Sequence, residues 1–144
     1  MFDFRKLRIW QEGYALTLQV YELTRGFPRD ELFGLTSQMR RAANSVPHNI
    51  AEGCGRHSRP ELLRFTVIAM GSASELQSET LVAQGLGYLP SDQAESLLDD
   101  IVRLRKMLTA FYQKVSKNKA SGYTNAPNDS TESVLLTDSP TPEV

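Results

Sequence analysis

The sequence predicts an all-α protein: an antiparallel up-down-up-down four-helix bundle with a Pro-kinked second helix and a disordered C-terminal tail. Three observations predict it. Apolar residues recur at intervals of three and four in four separate segments, the spacing that lines one face of a helix. Short connectors rich in Gly and Pro part those segments, and short connectors make successive helices antiparallel neighbours. One stripe, Leu35, Met39, Ala42, Val46, Ile50 and Gly53, passes through Pro47 without losing phase. The proline therefore kinks one helix instead of dividing two.

The first helix is expected from about Arg5 to Arg25, stopped by Gly26-Phe27-Pro28. It has an aromatic face (Leu7, Trp10, Tyr14, Leu18, Tyr21) and an aliphatic one (Ile9, Leu16, Val20, Leu23). A helix apolar on two sides is normally covered on two sides, so one face asks for a second protein surface and predicts self-association. The second helix is expected from Glu31 or Thr36 to Glu52, ending at Gly53 and Gly55. Pro47 removes the amide that would meet the Ala43 carbonyl, at a cost of ~3 kcal/mol in an ordinary helix interior. Asn44 and Ser45 stand beside the break as candidate partners for the freed groups. Gln38, Ser45, Asn49 and Glu52 fall on one flank of the stripe, where half-buried polar groups need partners, and with Glu75 of the next helix they predict a structural polar network.

Ser58 with Glu61 three residues on forms a capping box, and Pro60 suits a first turn, so the third helix starts there and runs to about Leu86, stopping at Gly87. Its inner stripe is Leu62, Thr66, Ala69, Ala73, Leu76, Thr80 and Ala83, and a second apolar stripe holds Leu63, Val67, Met70 and Leu81. Glu75 and Glu79 are its main charges. The fourth helix begins near Ser91, read as its N-cap, and Leu97, Ile101, Leu104, Leu108, Phe111 and Val115 make a heptad-like seam. The bundle domain is placed at 1–116 and the tail at 117–144, where Ser, Thr, Asn, Pro and acidic residues predominate. Val134-Leu135-Leu136 is the tail's one apolar island.

Composition excludes several function classes. No run approaches the ~20 apolar residues of a membrane span, and no h-region of a signal peptide is present. The single Cys54 excludes an intramolecular disulfide, and a cytoplasmic location with no membrane partner is expected. Cys54-x-x-His57 lacks a third catalytic group. His48 and Glu52 stand four apart, but the Glu-x-x-His motif of di-iron bundles occurs nowhere. No phosphate-cradling glycine motif is present. The chain is read as a non-enzyme without metal or cofactor.

The basic residues are the better lead. Sixteen basic and thirteen acidic residues precede position 120, a body of +3, while four acidic residues follow it. Arg40, Arg41, Arg56, Arg59 and Arg64 are opposed locally only by Glu52 and Glu61. Arginine forks suit phosphate oxygens, so these five are the expected nucleic-acid contacts, gathered at one bundle end and indifferent to base sequence. The competing reading is a protein-interaction scaffold in which the arginines pair with acids, Arg41 with Glu75 among them.

The same stretch resembles a known family. Gln38, Arg40-Arg41-Ala42-Ala43, Ser45-Val46-Pro47, Asn49-Ile50-Ala51-Glu52-Gly53 and Arg56 are similar to the signature of the 23S rRNA-intervening sequence proteins. Phe27-Pro28 and Glu31 upstream continue the match, as do Ser58, Glu61, Phe65, Ala69, Gly71-Ser72, Glu75-Leu76 and Leu86-Gly87-Tyr88-Leu89 downstream. The likeness covers about residues 4–115. It implies a bacterial four-helix bundle that assembles as a barrel-like homopentamer. Some relatives are accessory subunits of diversity-generating retroelements that bind a reverse transcriptase and nucleic acid, DNA or RNA.

Overall fold

The computed structural model describes residues 3–118. They form four helices, α1 (Arg8–Thr24), α2 (Leu35–Gly55), α3 (Arg59–Gly85) and α4 (Ser91–Lys117), with single 3-10 turns at Phe4–Lys6 and Arg29–Glu31. No strand occurs among the described residues. Each helix packs on its neighbours in sequence, and α1 closes the ring against α4. The expected all-α bundle is the fold observed. The tail expected to be disordered lies, beyond Asn118, outside the described residues.

The apolar stripes point inward. In α2 all of Leu35, Met39, Ala42, Val46, Ile50 and Gly53 are buried. So is the inner stripe of α3 from Leu62 to Ala83 and the seam of α4 from Leu97 to Val115. Helix α1 turns Ile9, Leu16 and Val20 inward and leaves Tyr14, Leu18 and Tyr21 exposed.

Helix α2 is continuous through Pro47. The Ala43 carbonyl freed by the proline is met from another helix, not by Asn44 or Ser45. Thr17 Oγ1 of α1 lies 3.0 Å from that oxygen and 2.9 Å from the Gly13 carbonyl, so one hydroxyl proton serves two acceptors. Asn44 Nδ2 instead donates to the Arg40 carbonyl at 2.8 Å and to the Tyr21 hydroxyl at 2.9 Å. Gly13 of α1 faces the kink: a Cβ there would lie 3.4 Å from Pro47 Cδ and from Val46 Cγ1, at contact distance.

Helix ends differ from expectation in three places. Leu7 is extended, so α1 starts at Arg8, and the residues before it make a turn in which Asp3 accepts from the Arg5 amide. Pro90, not Ser91, is the N-cap of α4, and Ser91 is already helical. Helix α2 outruns Glu52 and Gly53 because Gly53 serves packing: a Cβ there would stand 3.0 Å from Phe65 Cβ. Its left-handed terminating residue is His57, at φ 56°. Two other ends follow the expected chemistry. Ser58 Oγ accepts from the Glu61 amide at 3.3 Å. Gly87, at φ 77°, closes α3 with bonds from Tyr88 N to Ala83 O (2.9 Å) and Gly87 N to Gln84 O (3.0 Å), the double closure of a Schellman turn.

Candidate nucleic-acid interface

Helix α2 carries its arginines at opposite ends. Arg40 and Arg56 are sixteen residues apart, ~24 Å at 1.5 Å per residue, so the five arginines form two groups and not the single cluster expected. The first group faces α1. Arg40 Nε donates to Thr24 Oγ1 at 2.9 Å, and its guanidinium lies 4.7 Å from the centre of the Tyr21 ring. Arg41 is exposed beside it, on a shallow depression shared with Leu32 and Phe33. No ion pair joins Arg41 to Glu75 among the described residues.

The second group surrounds the α2–α3 connection. Arg56 pairs with Glu52 at 2.9 Å, Arg64 pairs with Glu61 at 2.9 Å, and both guanidinium groups lie over the Phe65 ring. The Arg64 hydrogen bond holds the Glu61 carboxyl below the usual carboxylate range. Arg59 Nη1 donates to the Ser116 carbonyl at 3.2 Å and so ties the start of α3 to the end of α4.

That last contact shows what linear reading misses. Up-down topology brings the start of α1, the end of α2, the start of α3 and the end of α4 to one pole. Arg5, Lys6, Arg8, Lys114 and Lys117 join Arg56, Arg59 and Arg64 there. The half of the bundle formed by residues 3–16, 45–72 and 104–118 holds ten basic and four acidic side chains. The half formed by 17–44 and 73–103 holds five basic and nine acidic. The bundle is electrically two-ended, and the signal was in the sequence only once the four segments had been folded back on one another.

The polar flank of α2 is divided in the same way. Ser45 Oγ meets Ser72 Oγ of α3 at 2.7 Å, and Asn49 Nδ2 donates to the Ser45 carbonyl (2.7 Å) and hydroxyl (2.9 Å). Gln38 and Glu75 are exposed and stand apart from that trio, and exposed Glu52 is taken by Arg56. Glu79, noted from sequence only as a charge, is 8% exposed, and its Oε2 has no hydrogen-bond partner. Burial, then the neighbouring Glu75 carboxylate, push its pKa up to about 7, and Arg41 opposes that shift.

Catalytic geometry is sparse. Cys54 is buried in the core, whereas His57 lies exposed in the connection. Among the described residues no three His, Cys, Asp or Glu side chains gather as a metal site, and no helix is long and apolar enough to cross a membrane.

Comparison with known proteins bears on the whole bundle. No curated protein matches the chain. A crystal structure of a protein of unknown function from the S23 ribosomal protein family of Bacteroides thetaiotaomicron VPI-5482 superposes with a TM-score of 0.66 at 19% identity. The match takes in 73% of this chain and 98% of that one, and at this identity it speaks for the fold alone. The sequence profile described as 23S rRNA-intervening sequence protein matches residues 5–110, which span all of α1, α2 and α3 and most of α4. The chain belongs to the 23S rRNA-intervening sequence protein family.

Proposed function

We propose that this protein is a non-enzymatic, self-associating cytoplasmic bundle that binds the backbone of DNA or RNA through its basic pole. The observation that carries the reading is the charge separation of the fold, ten basic against four acidic side chains in one half. Phosphate contacts need cations and no base-reading element, and the pole offers arginine forks on helix ends. The ring that lies among these arginines, Phe65, is buried beneath Arg56 and Arg64 and is not free to stack on a base as rings do on single-strand platforms. Duplex or structured RNA therefore suits the pole better. The exposed aromatic face of α1, with Leu32 and with Phe33 at 93% exposure, supplies the surface for self-association. Repetition of the pole around a ring, a homopentamer by family resemblance, would add weak contacts together. Service as an accessory subunit of a reverse transcriptase fits the same chemistry.

The test is a salt titration of binding to random duplex DNA and to structured RNA. Affinity for duplex is expected to fall with a log–log slope of ~0.9 per phosphate contacted. Neutralising Arg56 and Arg64 together should reduce that slope by about two contacts' worth. Absence of binding at low salt would reject the reading. It would favour the scaffold alternative, which has one observation of its own: Arg40, Arg56, Arg59 and Arg64 already bond oxygens within the subunit.

A further inference from the structure

An open groove of roughly 640 Å³ runs between helices α3 and α4. Its floor is apolar and small, with Val67, Met70, Gly71 and Val102 among the lining residues. Arg105 and Lys106 also line it. Val67 is 51% exposed there, and nothing lies within 4 Å of where a Gly71 Cβ would be. A groove of this form accepts a short apolar segment flanked by acids.

The chain contains one such segment. Glu132-Ser133-Val134-Leu135-Leu136-Thr137-Asp138 sets three consecutive apolar residues between two carboxylates. It lies outside the family match, and the Bacteroides structure, nearly all of whose length is matched by 73% of this chain, accounts for no comparable extension. The geometry of reach also fits. Thr109, midway along the groove's α4 side, is nine residues before Asn118, ~14 Å along the helix. Val134 is sixteen residues beyond Asn118, and a flexible chain of that length has in general an r.m.s. span of ~20–24 Å. We propose that residues 132–138 dock back into the α3–α4 groove of the same molecule, with Val134, Leu135 and Leu136 on the apolar floor and Glu132 and Asp138 beside Arg105 and Lys106.

Tethering makes such a contact effective even when it is weak. A tether of this length gives an effective concentration on the order of 1 mM, so an intrinsic Kd near 1 mM suffices to half-fill the groove. The proposal stands independently of nucleic-acid binding.

Methyl NMR of the full chain tests it against a Leu135→Asp, Leu136→Asp variant. The Val67, Met70 and Val102 methyl resonances are expected to differ between the two proteins, while those of Val20, Val46 and Leu97 in the core coincide. The difference should persist on hundredfold dilution, as an intramolecular contact requires. A Gly71→Leu change, which enters open space, should fill the groove and erase the difference between native and Asp-bearing tails. Coincident groove resonances in the first comparison would overturn the proposal. So would a difference that disappears on dilution, which would assign the groove to a second copy.

Discussion

Glu79 shows how one side chain couples this fold to pH. In the unfolded chain its carboxyl titrates near 4.5, and in the bundle burial and Glu75 raise it to about 7. Between those values the folded state holds a proton that the unfolded state has released. Stability from this group is therefore full below about pH 4.5 and is lost as pH rises through about 7, up to about 3 kcal/mol in all. Urea unfolding across pH 5 to 8 should show that decline, and Glu79→Gln should flatten it. His57 is a second site of stored cost, since a left-handed conformation disfavours any side chain by about 1–2 kcal/mol. His57→Gly should raise the thermal midpoint, by a stability gain of up to about 1 kcal/mol once the greater chain entropy of glycine is counted. The sequence did not point to His57, because Gly53 and Gly55 offer themselves as terminators four and two residues earlier. Gly53 turns out to be needed for the approach of Phe65 instead.

At the scale of the element, α2 is the instructive case. Its continuity was readable, because an apolar stripe that keeps its phase across a proline has no reason to belong to two helices. The partner of the Ala43 carbonyl was not readable, because Thr17 is 26 residues away and acts from a different helix. Local reading offered Asn44 and Ser45, and both are engaged elsewhere, the first by Tyr21 and Arg40 and the second by Ser72. A double-mutant cycle separates the two contributions. Thr17→Val should cost about 1–3 kcal/mol by leaving a buried carbonyl without a donor. In a Pro47→Ala background, where residue 47 regains its own amide, the same change should cost distinctly less, a coupling measurable by denaturant unfolding. Helix α4 begins at Ser91 as expected, but its cap falls one position earlier: Ser91 has the right chemistry for a cap, while Pro90 holds the non-helical conformation that a cap requires.

For the molecule as a whole, the bundle architecture was legible and the charge distribution was not. Four periodic stripes and three short connectors leave little choice of topology, whereas the basic pole is assembled from four segments that are remote in sequence. Reading along the chain joined Arg40 and Arg41 to Arg56, Arg59 and Arg64, which the length of α2 separates, and left out Arg5, Lys6 and Arg8, which the fold brings close. The exposed face of α1 belongs to this scale too. Light scattering at micromolar concentration should report an assembly of several copies, and Leu18→Glu, at a site 54% exposed in the subunit, should shift it toward monomer while leaving helical content unchanged. An unaltered mass for that variant would place the association surface elsewhere.

An even number of antiparallel rods also returns the polypeptide to the side from which it set out, so that Asp3 and Asn118 emerge at the same face as Arg56 and Arg59. A purification handle, a reporter or a fused enzyme joined directly to Asp3 or Asn118 would hang over that face and screen it. Attachment at the Gly26–Pro28 corner, on the far side, leaves it clear.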